Sequence, residues 1–181
     1  MGQDKGLMVG QGTFWIQRLY QTLSALSLPI YVSINAQQQA AYQAVVPDAS
    51  LVVDSAGERA NGPLTGLLSV ARQHPQAHAL VVPCDMPDMS AEVCQLWQQS
   101  FQHHYPAYDA LVCQTADRLQ PLCGIYGQMG LQKLQGLATA DRLRHRSMHD
   151  LLENELRTYR LTVPDDMLFR FKNYNTPGDI S

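Results

Sequence analysis

Residues 79–87 read Ala-Leu-Val-Val-Pro-Cys-Asp-Met-Pro, a short aliphatic run that ends at the carboxylate of Asp85 between two prolines. Four consecutive aliphatic residues bounded by a proline are typical of a strand buried in a parallel sheet. The prolines stiffen the backbone and remove two amide donors beside the carboxylate. The stretch therefore predicts a buried strand that presents a rigid acidic side chain at its carboxyl end.

Similar aliphatic runs alternate with segments of helical period along the rest of the chain. The predicted strands are 29–34, 51–53, 79–82, 109–113, 122–126 and 158–163. The predicted helices are 14–26, 37–43, a helix that begins at Pro63, a helix capped by Ser90, 131–137 and 142–153. This alternation predicts an α/β fold built on a doubly wound, mostly parallel sheet.

The length and composition favour one globular domain, 1–181. With 45% hydrophobic and 16% charged residues, the chain resembles ordinary folded proteins. A net charge of -3 gives no general attraction for nucleic acid or an anionic membrane, so neither is expected as a partner. There is no apolar run of roughly 20 residues and no signal peptide, which predicts a cytoplasmic protein. The four cysteines form no C-x-x-C pair and are expected to be reduced thiols.

Three polar residues, Asn35, Asp54 and Asp85, stand where predicted strands end. In an open parallel sheet, ligands bind beyond the carboxyl ends of the strands. Each residue also has a simpler interpretation, because Asn and Asp commonly open turns and cap helices. Capping is favoured for each one singly, but three such residues at one edge point to a binding site.

Asp85 and Asn175 offer oxygen atoms of the kind that Mg²⁺ binds. Magnesium is commonly held by one or two protein oxygens while phosphates and water complete its coordination. Asn175 lies in the second such turn, Asn-Tyr-Asn-Thr-Pro at 173–177. A helix-capping role before Pro177 is the alternative, and the residues alone favour it.

Two glycine-containing segments are candidates for phosphate binding. Lys5 lies between Gly2 and Gly6, where a compact positive charge and accessible amides could meet a phosphate. Residues 62–66, Gly-Pro-Leu-Thr-Gly, begin a predicted helix whose free amides and dipole favour anions. A solvent-facing lysine and a tight turn with close helix packing are the corresponding structural alternatives.

Two further clusters carry less weight. His145 and His149 stand four apart on a predicted helix, but the glutamate of an H-E-x-x-H motif is missing, so surface histidines are favoured over a metal site. Arg142, Arg144 and Arg146 form a basic group that is usually a solvated helix face, with an anionic acceptor as the alternative.

An ordered set of short motifs extends along nearly the whole chain and resembles the molybdenum cofactor guanylyltransferases. The motifs are 1–7 (Met-Gly-Gln-Asp-Lys-Gly-Leu), Asn35, 52–54 (Val-Val-Asp), 62–66, 83–87 (Pro-Cys-Asp-Met-Pro), 120–122 (Gln-Pro-Leu) and 173–177. Several matches in the same order are far more specific than any one of them.

The resemblance implies a Rossmann-like nucleotidyltransferase fold with GTP lying over the strand ends. It places Lys5 at the phosphates and Asp85 on Mg²⁺, as the catalytic pair, with Asn175 as a second metal-side residue. The remaining positions implied to bind nucleotide are Asn35, Asp54, Gly62 and Pro63. The segment of Arg142 would border the pterin side.

The implied reaction is attack by the terminal phosphate of molybdopterin on the α-phosphorus of GTP, with pyrophosphate as the leaving group. A phosphate monoester, whose second pKa is about 6, is already largely dianionic at neutral pH, so no general base is needed. The enzyme has to supply alignment and positive charge.

The chain departs from the family pattern at its first residue. Family members open with a strand and a leucine-alanine-glycine-glycine loop before the segment that appears here as 1–7. We therefore expect that the first strand, central in the family's sheet, and most of this loop are missing, and that the natural protein is longer. A sheet whose central strand is supplied by another segment of the chain would contradict this expectation.

Two other functions fit the same pattern of residues. One is a cytidylyltransferase, or another small-molecule nucleotidyltransferase of this fold, although the run at 62–66 resembles the guanylyl enzymes more closely. The other is a catalytically silent protein that binds nucleotide or cofactor and partners molybdoenzyme or cofactor-assembly proteins.

Overall fold

The computed structural model describes residues 4–47, 50–55, 62–116, 118–143, 147–176 and 178. The strands are β1 (Val9–Gly10), β2 (Thr13–Phe14), β3 (Val32–Ile34), β4 (Leu51–Val53), β5 (Ala79–Val81), β6 (Ala110–Thr115), β7 (Arg118–Tyr126) and β8 (Thr158–Thr162). The helices are α1 (Trp15–Ser24), α2 (Gln39–Gln43), α3 (Pro63–Gln73), α4 (Ala91–His104), α5 (Gln128–Thr139) and α6 (Met148–Asn154), with 3₁₀ helices at Lys5–Leu7 and Asp165–Phe171.

The largest sheet has the strand order β5-β7-β6-β8. Strands β5, β6 and β8 share one direction, and β7 runs against both of its neighbours. The reversal follows from the connection, because the two residues between β6 and β7 can join only antiparallel strands. A second sheet pairs β3 with β4 in parallel, and β1 and β2 form a short antiparallel hairpin.

Helices cover both faces of the large sheet, which confirms the doubly wound α/β fold. Along β6, Ala110 and Val112 belong to a core formed with α3, α5 and α6. Leu111 and Cys113, which point to the opposite face, pack with α1 and α4. This alternation is the period of two expected of a strand buried on both sides.

The strands that lead to Asn35 and Asp85, β3 and β5, belong to different sheets. Within the described residues, β3 pairs only with β4 and β5 pairs only with β7. No described segment pairs with both β3 and β5, so the expectation of an additional first strand in the central position is not contradicted and stays a prediction.

Some predicted boundaries were wrong. The helix predicted at 142–153 begins at Met148, where the Ser147 side chain accepts a hydrogen bond from the amide of Asp150. Arg142 instead lies in a loop, while Arg144, His145 and Arg146 are outside the described residues. Three short elements of the described chain were missed: the hairpin β1–β2 and the 3₁₀ helices at Lys5–Leu7 and Asp165–Phe171. None of them is long enough to show a clear hydrophobic period.

The Gly66 position controls how closely α3 approaches β3. A Cβ at Gly66 would lie 2.9 Å from the Ser33 Cβ and closer still to its Oγ, so the helix would have to move. We expect Gly66→Ala to lower the free energy of unfolding by up to about 2 kcal/mol, because overpacking costs about 1–3 kcal/mol. The better helix propensity of alanine offsets only about 1 kcal/mol of that cost.

Gly136 provides the matched control for Gly66→Ala in a urea titration. It lies inside α5, and a Cβ added there would meet no atom within 4 Å, so Gly136→Ala is expected to raise the free energy of unfolding by up to about 1 kcal/mol. Equal effects of the two substitutions would contradict the close contact between α3 and β3.

Candidate active site

Asp85 lies in the turn that follows β5, where the sequence predicted a rigid carboxylate. Its side chain is 21% exposed and so remains accessible at the end of the strand. The preceding residue, Cys84, is partly buried. Burial first, and then the charges of Asp85 and Asp4, raise the pKa of the Cys84 thiol to about 11, so this cysteine is a neutral thiol at physiological pH.

Lys5 is held by the 3₁₀ helix at Lys5–Leu7. The Asp4 side chain caps this helix by accepting a hydrogen bond of 3.0 Å from the Gly6 amide. The same carboxylate accepts hydrogen bonds from the Tyr42 hydroxyl at 2.9 Å and from the side-chain Nε2 of Gln38 at 2.6 Å. A segment anchored in this way to α2 keeps the backbone of Lys5 in a defined place.

Gly6 is required by the approach of Tyr42. A Cβ at Gly6 would lie against the Tyr42 hydroxyl oxygen and 3.2 Å from its Cζ. Burial, followed by the hydrogen bond and charge of Asp4, raises the Tyr42 pKa, so this residue stays a hydrogen-bond donor to Asp4. Glycine beside Lys5 therefore serves local packing.

Lys5, Asp85 and Asn175 converge on one point. The Lys5 ammonium donates to Asp85 Oδ2 at 2.9 Å and to Asn175 Oδ1 at 3.0 Å. The Asn175 segment is brought there by the Tyr174 amide, which donates to the Asp85 carbonyl at 2.8 Å. Two residues predicted to bind metal and one predicted to bind phosphate thus form a single cluster.

The oxygens of this cluster fit a magnesium ion in their chemistry. A carboxylate and a neutral amide oxygen already face one shared cation, the ammonium of Lys5. Within the described ranges, no three His, Cys, Asp or Glu side chains are grouped as they would be in a site made wholly of protein ligands. One carboxylate with few other protein oxygens is the arrangement that leaves room for phosphates and water around Mg²⁺.

Asn35 lies at the end of β3 and caps a turn. Its Oδ1 accepts hydrogen bonds from the amides of Gln37 and Gln38 at 2.9 and 3.1 Å. In this structure, Asn35 therefore has the capping role that was the simpler interpretation of the sequence. The same turn presents the Gln38 side chain to Asp4, which links Asn35 indirectly to the Lys5 segment.

Asp54, Gly62 and Pro63 lie around the beginning of α3. Asp54 Oδ1 accepts a hydrogen bond of 2.5 Å from the Ser33 hydroxyl, beside the close contact with Gly66. Gly62 has φ of 60°, which favours glycine, and Pro63 is the first residue of the helix. The amino end of α3 is thus next to the ends of β3 and β4, as predicted, and nucleotide contact by these residues stays a prediction.

A cavity of about 170 Å³ opens beside Asp85. It is lined by Pro83, Asp85, Met86, Gln120, Pro121, Leu122, Cys123 and Asn173. Two of the motifs recognised in the sequence, 120–122 and 173–177, therefore contribute to the walls around the same carboxylate. The cavity and the Lys5 cluster share Asp85.

Comparison with known proteins identifies the family of this chain. The model of the MobA-like NTP transferase domain matches residues 1–158. The chain belongs to this family. It is 30% identical to a probable molybdenum cofactor guanylyltransferase of Rhodopirellula baltica, over 99% of this chain and 83% of that protein. It is 25% identical to one of Geobacillus sp. strain WCH70, over 98% of this chain and 88% of the relative.

The family fold is also found among solved structures. Molybdopterin-guanine dinucleotide biosynthesis protein A from Archaeoglobus fulgidus superposes with a TM-score of 0.78 at 20% sequence identity. The superposition covers 99% of this chain and 88% of the archaeal one. This likeness shows that the MobA-like chain has the nucleotidyltransferase fold expected from its sequence.

Three contributors to the site had no predicted role. Asp4, Gln38 and Tyr42 organise the segment of Lys5 but do not themselves join the cluster with Asp85. Asp4 had a readable signal, because an aspartate two residues before a glycine is a frequent cap of a short helical turn. Gln38 and Tyr42 had none, since their contacts with Asp4 join distant parts of the chain.

His149, one of the weaker candidates, contacts the backbone of β7. His149 Nε2 lies 3.3 Å from the Leu119 carbonyl oxygen, and its proposed partner His145 is outside the described residues.

The described helices include none that is both long and apolar enough to span a bilayer.

Proposed function

We propose that this MobA-like enzyme transfers GMP from GTP to the terminal phosphate of molybdopterin and releases pyrophosphate. The observation that carries the proposal is the convergence of Lys5, Asp85 and Asn175 at the carboxyl end of β5 in a member of the NTP transferase family. The relatives named as probable molybdenum cofactor guanylyltransferases support GTP and molybdopterin as the two substrates.

Lys5 and Asp85 would have different electrostatic roles during transfer. During transfer, a phosphate oxygen of the acceptor forms a bond to the α-phosphorus as the bond to pyrophosphate breaks. The Lys5 ammonium, a compact positive charge, would neutralise the triphosphate as negative charge shifts to the leaving group. Because the attacking phosphate is already dianionic, a cluster of Lys5, Asp85 and Asn175 without a general base is compatible with this chemistry.

Asp85 and Asn175 would hold Mg²⁺ through the two oxygens that now face Lys5. When bound, the ion would supply positive charge at the phosphates of the nucleotide. The prolines on either side of Asp85 keep its carboxylate in place, which reduces the rearrangement needed for binding.

The nucleotide would lie across the ends of β3, β4 and β5. Asn35 and Asp54 would line this cleft, and Gly62 and Pro63 would present the amino end of α3 to it. The cavity beside Asp85 would receive the phosphate-bearing end of the acceptor, because it opens next to the carboxylate. The proposed place of the reaction is the cytoplasm.

Calorimetric titration with GTP and with CTP, each in the presence of Mg²⁺, tests the proposed choice of nucleotide. We expect GTP to bind at least about tenfold more tightly, which corresponds to about 1.4 kcal/mol. Stronger binding of CTP would favour the cytidylyl alternative. Binding without any transfer to molybdopterin would favour a silent binding protein.

A further inference from the structure

Asp88 connects three separate elements just beyond the active-site turn. Its carboxylate accepts a hydrogen bond of 2.8 Å from Arg18 on α1 and one of 2.5 Å from the hydroxyl of Tyr174. Its backbone carbonyl accepts a third, of 3.0 Å, from Arg170. Asp88 therefore joins the turn after β5 to α1 and to the C-terminal segment.

Tyr174 is held at both ends. Its amide donates to the carbonyl of Asp85, and its hydroxyl donates to the carboxylate of Asp88. The residue is only 6% exposed, and its ring packs 6.0 Å from that of Trp15, centroid to centroid. Met8 completes this small core. The backbone at 174 is thus fixed relative to the turn that carries Asp85.

Asn175 follows directly after this anchored residue. It is an exposed residue in a segment that belongs to no helix or strand. Its Oδ1 nevertheless reaches the Lys5 ammonium at 3.0 Å. An exposed side chain in irregular backbone is ordered mainly by its neighbours, and one neighbour of Asn175 is the doubly held Tyr174.

We propose that Asp88 and Tyr174 are positioning residues, which place the amide oxygen of Asn175 beside Asp85 and thereby build the second side of the cation site. The inference rests on the proposed function for its catalytic consequence. The hydrogen bond from Tyr174 to Asp88 involves a charged acceptor, the kind that contributes most to holding a geometry.

Tyr174→Phe is the main test, because it removes the hydroxyl and keeps the ring that packs on Trp15. We expect the affinity for Mn²⁺ in the presence of GTP, measured by electron paramagnetic resonance of the free ion, to fall about tenfold. Tyr20→Phe is the matched control, since the Tyr20 hydroxyl also has a hydrogen bond, to Ser50 at 3.0 Å, in a different part of the molecule. The control is expected to retain the wild-type affinity.

The Asn175→Ala background separates positioning from a general loss of stability. If Tyr174 acts through Asn175, Tyr174→Phe has no further effect on Mn²⁺ affinity once the Asn175 amide is gone. An equal loss in both backgrounds would overturn the proposal. Asp88→Asn, which weakens the same contact from its other end, is expected to reproduce the loss and serves if Tyr174→Phe does not fold.

A readout without ligand distinguishes this inference from the proposed function. In ¹⁵N-labelled protein, the side-chain amide of Asn175 is expected to give a dispersed resonance that moves to the position of a free asparagine in Tyr174→Phe. An unchanged resonance would overturn the positioning role. Failure of the wild type to bind Mn²⁺ with GTP, together with the expected shift, would instead count against the proposed function alone.

Discussion

Asp85→Asn is expected to lower nucleotidyl transfer by about 10²- to 10³-fold, the usual loss when one group that stabilises transition-state charge is removed. The amide keeps the shape of the side chain but lacks the negative charge that faces the Lys5 ammonium at 2.9 Å. It therefore holds both a divalent cation and the Lys5 ammonium more weakly. The measurement is the initial rate of pyrophosphate release with GTP, Mg²⁺ and molybdopterin.

Asp166→Asn is the matched control for this substitution. Asp166 is exposed at the beginning of the 3₁₀ helix Asp165–Phe171, so the same loss of one charge occurs away from the cluster. We expect it to retain full activity and the wild-type thermal unfolding temperature. The electrostatic argument predicts a large loss of rate in Asp85→Asn. If this variant keeps more than about a third of the wild-type rate, the carboxylate has no role in the chemistry.

Lys5→Met has two expected effects of opposite sign. Transfer falls by about 10²-fold, because the positive charge at the phosphates is lost. Affinity for Mn²⁺ in the absence of nucleotide rises about tenfold, because the Lys5 ammonium lies between the two oxygens, at 2.9 and 3.0 Å, that a metal would use. A cation bound there must displace the ammonium from Asp85 and Asn175.

This competition also predicts that GTP and the metal bind cooperatively in the wild type. The phosphates offer Lys5 another partner, which frees Asp85 and Asn175 for the metal, so each ligand should favour the other. The phosphates also bind the metal directly, so the coupling is expected to weaken in Lys5→Met but not to vanish, and to keep its full strength in Lys133→Met, a control on the exposed face of α5. Equal Mn²⁺ affinities in wild type and Lys5→Met without nucleotide would contradict the competition.

The arrangement of helices and strands could be predicted because buried strands have a strong sequence signal. Ala110 to Cys113 form a continuous apolar run, and the structure buries alternate residues of it against helices on the two faces. The start of α6 was predicted too early, since the polar and basic residues before Ser147 are compatible with a helix. The hydrogen bond from the Asp150 amide to the Ser147 side chain marks that boundary.

The site was predictable only in part. Asp85 could be found because it ends an aliphatic strand between prolines, a local pattern. The meeting of Lys5 with Asn175 joins residues 170 positions apart and has no local signal. The part that Tyr174 and Asp88 play was likewise hidden, because these two residues are separated by 86 positions. The resemblance to the family indicated which residues to inspect, and the structure shows how Lys5, Asp85 and Asn175 converge.

The most direct test of the central claim is transfer from GTP labelled at the α-phosphorus, compared with GTP labelled at the γ-phosphorus, using molybdopterin as the acceptor. The proposed reaction predicts that the α label enters the cofactor and that the γ label leaves as pyrophosphate. Release of the γ label as orthophosphate, or its transfer to the acceptor, would contradict nucleotidyl transfer at the cluster of Lys5, Asp85 and Asn175.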